Sequence, residues 1–590
     1  MDGRSRFSVG AILAGRVFAG LAALAILAGG TSHAQTTPQA TPEATPEAQD
    51  SEDGVVVTPQ ARGEWFKAES RHFVVYATGD VERLRRRAAL LEDFDGLLRR
   101  QFNLADPPGR KLPVYLFRSA VQYQKFYPDA PELILCNTFA SLDDVFITSL
   151  ISSRFDGDSR SSFGHVQRRQ PDSSEDALLA AYGAHFFKHN FPYAYPDWLT
   201  AGLGMYFSAS ILTPGKVTVG VNSPLWASPS LQGGWLPMKE ILDRPRTLAT
   251  EDDPRGSQLD TQIWLLAHYP WYEQRTNMEI ADRPGTLVTE DPPREARLDT
   301  QIWLLVHYLW SDPQRRAKLV DYLKRIEGGK GDRMAAWEAV FGQPADKMAT
   351  ELRRYASMPT PAVALTRTAP AEPEIRITRL SAGADDLLLL SQRLKTPLPY
   401  KPEVVLKKIR RAAAARPDDR FARAAQARVE IKLGDRAVGE ALLAGLLNED
   451  GGNLEALQLM AASKVEAGQA DPARRAALFA EAQPYLAKAA KIEPDNYLTL
   501  YTLARTRMTD GPPDAELLSL LERATKLAPE IAEVRFAAGK AFIAAGDDAK
   551  AERILSPLAG DPYGRDEAKE AQALLRDIRA RRQAAAPASL

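Results

Sequence analysis

From about residue 400 onward the chain becomes alanine-rich and helical in pattern, and proline-bearing turns punctuate it at ARPDD (Pro417), IEPDN (Pro494) and APEIA (Pro529). Pro494 and Pro529 stand 35 residues apart. A unit of that length holds two helices and a turn, and such a pair buries its apolar face only by stacking on a neighbour. The recurrence therefore points to a solenoid for this stretch. Small residues recur where paired helices must approach: Ala427 and Gly434, Ala504, then Gly539 and Gly546.

RVEIKLGD and KAFIAAGDDAKAERIL match the turn between the two helices of a tetratricopeptide repeat, whose period is about 34 residues. Residues 376–580 thus resemble a tetratricopeptide array, closely over 494–560 and more loosely over 401–493, where the spacing is irregular. The resemblance implies a concave surface suited to an extended peptide or a helix, hence a protein or peptide partner. The competing reading is that the array only stabilises the domain before it.

Two helices are legible in ALLAAYGAHFFKHNFPYAYPDWLTAGLGMYFS, residues 177–208. Leu178, Leu179, Tyr182, Phe186 and Phe187 recur at helical spacing until Asn190 to Pro192 breaks the pattern; a second helix starts near Pro196 and carries Trp198, Leu199, Leu203, Tyr206 and Phe207. The block resembles the peptidase MA-like branch of the gluzincin metallopeptidases, which commonly reads HEYAHHF, then a proline-rich turn, then PxWLxEGLAEYF. Here the same positions read AAYGAHF and PDWLTAGLGMYF. Ala180 and Ala184 stand where the resemblance places the metal histidines, Ala181 where it places the general base, Ala201 where it places the glutamate ligand, and Met205 at the second glutamate. A methyl group neither ligates zinc nor moves a proton, so the family's mechanism has lost its ligands and base while its aromatic frame remains. The expectation is a pseudoenzyme with no catalytic residue and no cofactor.

His185 and His189, in HFFKH, form a rival pair, since residues four apart share a helical face and can share a metal. They carry the alternative of a divergent zinc-dependent hydrolase, with a carboxylate such as Glu175, Asp176 or Asp197 brought close by folding. Phe186 occupies the place a general base would need, and structural roles for the pair compete with metal binding.

EWFKAESRHFVVY resembles the opening strand of the same peptidase-like family, and the short β-rich runs 71–77 and 111–117 flank a helical stretch from Val81 to Phe102. Further strand candidates are 133–139 and 145–149. The expected fold is therefore an α+β gluzincin-like domain, residues 61–357, a linker at 358–375, and an all-α solenoid at 376–580. Within the first domain, DRPRTLATEDDPRGSQLDTQIWLLAHY (243–269) and DRPGTLVTEDPPREARLDTQIWLLVHY (282–308) are identical at 20 of 27 positions with an offset of 39 residues. Identity running through the polar TEDxPR portion marks a tandem duplication. His268 and His307, beside tryptophan and tyrosine in each copy, read as hydrogen-bonded packing residues before metal ligands.

The chain has 590 residues, 45% of them hydrophobic and 26% charged, which places it among folded proteins. Arg4 and Arg6 precede an apolar run from Val17 to Leu27, and Ser32-His33-Ala34 has the small residues of a cleavage site, so residues 1–34 are expected to be a signal peptide and the protein periplasmic or otherwise exported. Residues 35–60, with TPQATPEATPEAQDSEDG, have the composition of a disordered spacer. The run after the leader offers no further apolar stretch long enough for a stable membrane span. The mature chain carries 72 basic against 75 acidic residues, a balance that gives no reason to expect nucleic acid. Cys136 is the single cysteine and sits in ELILCNTF, which suits a buried small hydrophobe.

Overall fold

A computed structural model describes residues 63–106, 110–119, 122–123, 126–127, 136–150, 173–191, 196–213, 215–221, 234–242, 294–327, 332–366, 372–396, 401–508, 511–560 and 566–585. The expected signal peptide, the 35–60 spacer, the first copy of the duplication with its His268, and the start of the second copy lie outside the described residues.

Strands β1 (Trp65–Glu69) and β2 (Phe73–Thr78) pair antiparallel. Helix α1 (Val81–Phe102) then carries the chain to β3 (Leu112–Phe117), which lies parallel to β2. The helix begins where the Asp80 carboxylate accepts from the Glu82 and Arg83 N–H groups, and it ends at Asn103, held in the left-handed region at φ 51°. Strands β4 (Cys136–Ala140) and β5 (Val145–Leu150) form an antiparallel hairpin whose second strand runs parallel to β3.

Alternation along β3 splits its side chains between two cores. Val114 and Leu116 join the main core under α1, whereas Tyr115 and Phe117 face a second cluster with Tyr123, Phe126, Phe139 and Phe146. A strand covered on both faces reads as one continuous apolar run, which is why KLPVYLF shows no alternation.

The main core is completed by α2 (Ser173–Asn190), α3 (Asp197–Ser208), α4 (Met238–Leu242), α5 (Arg294–Trp310), α6 (Pro313–Ile326), α7 (Arg333–Phe341) and α8 (Ala345–Ala356). A small antiparallel sheet, ordered β6 (Ile211–Thr213), β7 (Lys216–Val219) and β8 (Val363–Thr366), follows α3. Strand β9 (Arg376–Arg379) closes the large sheet beside β1, giving the order β4-β5-β3-β2-β1-β9.

These last strands correct the expected domain limits. The 358–375 stretch read as a linker carries β8, and residues 376–379, assigned to the array, are an edge strand of the first domain's sheet. Their sequences hid this because each strand is four residues long and largely exposed, so neither shows an apolar face. Helix α9 (Ala382–Arg393) likewise belongs to both regions: its Ala384 and Leu388 cover the far face of the sheet, while Leu387 starts the helical core beyond.

From there the chain is all helical: α10 (Pro402–Ala414), α11 (Arg420–Leu433), α12 (Arg436–Glu449), α13 (Leu454–Ala470), α14 (Arg475–Ile492), α15 (Tyr497–Arg507), α16 (Ala515–Leu527), α17 (Ala532–Ala544), α18 (Asp548–Ala559) and α19 (Asp566–Ala585). The molecule is thus a mixed α+β region followed by a long helical one. Of the small residues singled out above, Gly539 sits where helices touch, since a Cβ there would lie 2.3 Å from Leu555 Cδ2. Gly546 serves a turn at φ +77° with open space around it, and Gly434 caps α11.

The helical region docks on the turn between β4 and β5. Asp144, 1% exposed, accepts from Arg110 at 2.8 Å and Gln392 at 3.0 Å, with Lys395 at 3.6 Å. Ser141 Oγ donates to the Lys395 carbonyl at 2.6 Å, Asp143 pairs with Lys432, and Tyr497 donates to the Leu142 carbonyl at 3.3 Å. Helices α9, α11 and α15, with Lys395 just past the end of α9, thus hold one four-residue turn.

Candidate functional site

The motif positions come first. Ala180, Ala181 and Ala201 are 0%, 3% and 8% exposed, Met205 is 0%, and all four belong to the main apolar core. Ala184 beside them is half-buried. Helices α2 and α3 cross at Gly183 and Gly204 with their backbones in contact: a Cβ on Gly204 would lie 2.3 Å from the Ala180 carbonyl oxygen and 2.9 Å from the Ala184 nitrogen. On the other side of α3, a Cβ on Gly202 would lie 2.4 Å from Val306 Cγ2 of α5. A zinc ion needs about 2.0–2.3 Å to each of several nitrogen, oxygen or sulfur ligands. These positions offer four methyl groups and one thioether around a closed helix crossing, so the residues present do not fit a zinc ion.

The histidine pair is different. His185 and His189 lie on the same helix but face the helical region, where Glu530 arrives from the turn between α16 and α17. His189 Nδ1 is 3.3 Å and His185 Nδ1 4.0 Å from the Glu530 carboxylate, and one ligand-capable atom from each residue lies within 4.8 Å of the others. The three side chains are 10%, 23% and 11% exposed.

Their ionisation follows from burial and mutual charge. Burial drives the His185 imidazole down to about 4, so it is neutral at pH 7. Burial also acts to lower His189, but the Glu530 charge and hydrogen bond outweigh it and hold this imidazole above its ordinary value. For Glu530, burial opposes ionisation, yet the two imidazoles pull the carboxyl down to about 2.

Beside the cluster lies a cavity of about 90 Å³ whose lining includes His72, Arg99, Arg110, Asp144, Tyr182 and Asp495. A chain of buried polar groups runs behind it. Tyr182 donates to Asp95, which accepts from Arg99 Nε at 2.8 Å; His72 Nδ1 donates to Glu92 at 2.7 Å. Burial together with the Asp95 charge pushes the Tyr182 phenol far up, so it stays protonated and keeps donating.

Other expected candidates fall elsewhere. Glu175 pairs with Arg87, and Glu175 and Asp176 sit at the start of α2, nine or more residues before His185, hence about 13 Å or more away along the axis. The side chain of Asp197 lies outside the described residues. The carboxylate that reaches the pair is Glu530, 341 residues distant from His189 in sequence. The only sequence signal near it was the turn proline Pro529, which marks the turn but says nothing of what it faces. His307 is fully buried, with Nδ1 2.8 Å from the Tyr355 hydroxyl and Nε2 3.0 Å from the Gly220 carbonyl, a packing residue with both ring nitrogens engaged. Cys136 is buried with its thiol on the Ala177 carbonyl, and burial pushes its pKa well up, leaving an inert thiol. No helix among the described residues is long and apolar enough to cross a membrane.

A scan against protein-family models finds no match to this chain, and no curated protein matches it either.

Proposed function

We propose that this protein is an exported, catalytically inactive relative of the peptidase MA-like gluzincins that acts by binding a protein or peptide through a tetratricopeptide-type array. The observation that carries the reading is the closed crossing of α2 and α3 at Gly183 and Gly204, where Ala180 and Ala184 meet Gly204 at backbone contact and Ala181 and Ala201 are buried in the same core. In the resembled pattern the two glycine positions are alanine. Their loss of Cβ lets the helices approach to backbone contact, which removes the space as well as the ligands. Helix pairs with a 35-residue step, from Tyr497 of α15 to Ala532 of α17, support the array part of the reading. Some of the array's surface already holds the β4–β5 turn, so a partner binds the remainder of it.

The test uses the full mature chain. Incubated with unfolded protein and with a mixed peptide library, it is expected to show no cleavage that a chelator abolishes; chelator-sensitive cleavage sinks the reading. Peptides selected for binding to the immobilised chain, and then photo-crosslinked, are expected to attach within residues 401–585. Crosslinks confined to the first domain would refute array-mediated binding.

A second reading, a divergent zinc-dependent hydrolase using His185 and His189, is favoured by the arrival of Glu530 as a third ligand. Against it stands the lack of a base: the other acidic side chains lining the described cavity are engaged, Asp144 by Arg110 and Asp495 by Arg523.

A further inference from the structure

We propose that His185, His189 and Glu530 bind one divalent transition-metal ion of the zinc class, and that the ion fastens the helical array to helix α2. The proposal is independent of the partner-binding reading.

The donors suit such an ion. Two imidazoles and one carboxylate are a known zinc donor set, whereas calcium and magnesium select sites built of oxygen. Bonds of 2.0–2.2 Å in a tetrahedron place ligand atoms about 3.4 Å apart. The carboxylate stands 3.3 Å from one imidazole and 4.0 Å from the other, with all three donors within 4.8 Å. Closing around an ion therefore needs adjustments of about 1 Å at the side chains.

Both sides of the site are held in place. On α2, Tyr182, about one turn before His185, is anchored by Asp95, and Phe186, between the two histidines, packs in the main core. Opposite, Arg535 donates through Nε and a terminal nitrogen to the Pro529 carbonyl at 3.0 and 2.6 Å and also to the Ile554 carbonyl at 2.9 Å, while the Ile531 N–H bonds the Ala528 carbonyl. Arg535 thus fixes the backbone of the Glu530 turn and leaves the carboxylate to the imidazoles, its side-chain partners among the described residues.

Charge and space agree. Of the cations that line the neighbouring cavity, Arg99 is paired with Asp95 and Arg110 with Asp144. A cavity of about 90 Å³ admits several waters, since one occupies roughly 10–15 Å³ of such space. Water can therefore complete the coordination that three protein ligands leave open. The sequence separation is what makes the site a fastener: two donors come from the first domain and the third from a turn 341 residues later, so full affinity exists only while the array is docked.

The experiment titrates zinc, and cobalt as a visible probe of tetrahedral geometry, into full-length chain stripped of metal and carrying no histidine tag. One ion per chain is expected. His185→Gln, His189→Gln and Glu530→Gln are each expected to weaken binding at least about tenfold, since loss of even an outer-sphere partner weakens metal sites by that much. Zinc is expected to slow hydrogen exchange at residues 141–144 and 528–531 in the native chain and in none of the variants. Zinc affinity unchanged in the His185→Gln chain overturns the site. Affinity unchanged in Glu530→Gln, or zinc binding without slowed exchange, overturns the fastening. Thermal melts of each metal-free variant report folding; if Glu530→Gln does not fold, His185→Gln decides the metal site, because His185 lies 4.0 Å from Glu530 and removes no hydrogen bond of the metal-free state, and Glu530→Asp, which keeps the charge but shortens the reach, decides the array's contribution.

Discussion

Two faces of helix α2 show opposite treatments of the same polar opportunity. The face bearing Ala180 and Ala184 is packed against α3 at backbone contact with Gly204. The face bearing His185 and His189, roughly 140° further round at 100° per residue, meets the helical region through a buried carboxylate. The first contact is sealed by residues close in sequence, and the second is assembled from opposite ends of the chain. A helix can thus be apolar toward one neighbour and ionisable toward another, because each face answers only to what packs on it.

The largest expected effect comes from making the first face polar. Combining Ala180→His, Ala181→Glu, Ala184→His and Ala201→Glu should cost at least about 4 kcal/mol and yield no peptidase activity, since four large polar groups enter a core with helices in backbone contact. A folded variant that binds zinc and cleaves peptides would show that the closure is superficial. Asp144→Asn tests the docking that supports the second face. It leaves Arg110 and Lys395 without their buried anion and should lower stability by about 3 kcal/mol in denaturant titration. Gly204→Ala asks how tight the crossing is: its methyl would meet the Ala180 carbonyl, and a loss of about 1–3 kcal/mol is expected, with zinc affinity at the histidines unchanged.

The smallest effect is one of pH. Burial acts to raise the Asp144 carboxyl, but Arg110, Lys395 and the Gln392 hydrogen bond together hold it below its ordinary value. A carboxyl lowered by folding contributes stability that is complete above its unfolded value, about 4, and is lost as pH falls through the folded value. Thermal melts should therefore weaken progressively from about pH 5 downward, and Asp144→Asn should flatten that slope. An unchanged slope would mean that other carboxylates dominate acid unfolding.

Much of the framework was legible because it is local. Helix α1 was expected from Val81 to Phe102 and runs over those residues; the strand expected at 145–149 is β5, Val145–Leu150. Helices α2 and α3 follow from apolar spacing and a proline. What escaped was non-local. Arg376–Arg379 is a strand because β1 offers it an open edge, and nothing in RITR itself says so. Glu530 approaches the histidines because of how ten helices stack, a sum of small rotations that no motif encodes. Glu175 and Asp176 looked nearer to the pair only because sequence distance was the available measure.

The turn between β4 and β5 also has a consequence in time. A chain made from its N-terminus exposes Asp143 and Asp144 long before Lys395, Lys432 and Tyr497 exist to meet them, and β1 waits some 300 residues for β9. Closing loops of that size is slow, so the first domain spends its early life with an unpaired sheet edge and with Asp144 met by Arg110 alone. The helices that finish the molecule are therefore also what lets its beginning become native, and a chain cut short before residue 376 should emerge as an aggregation-prone fragment rather than a smaller working protein.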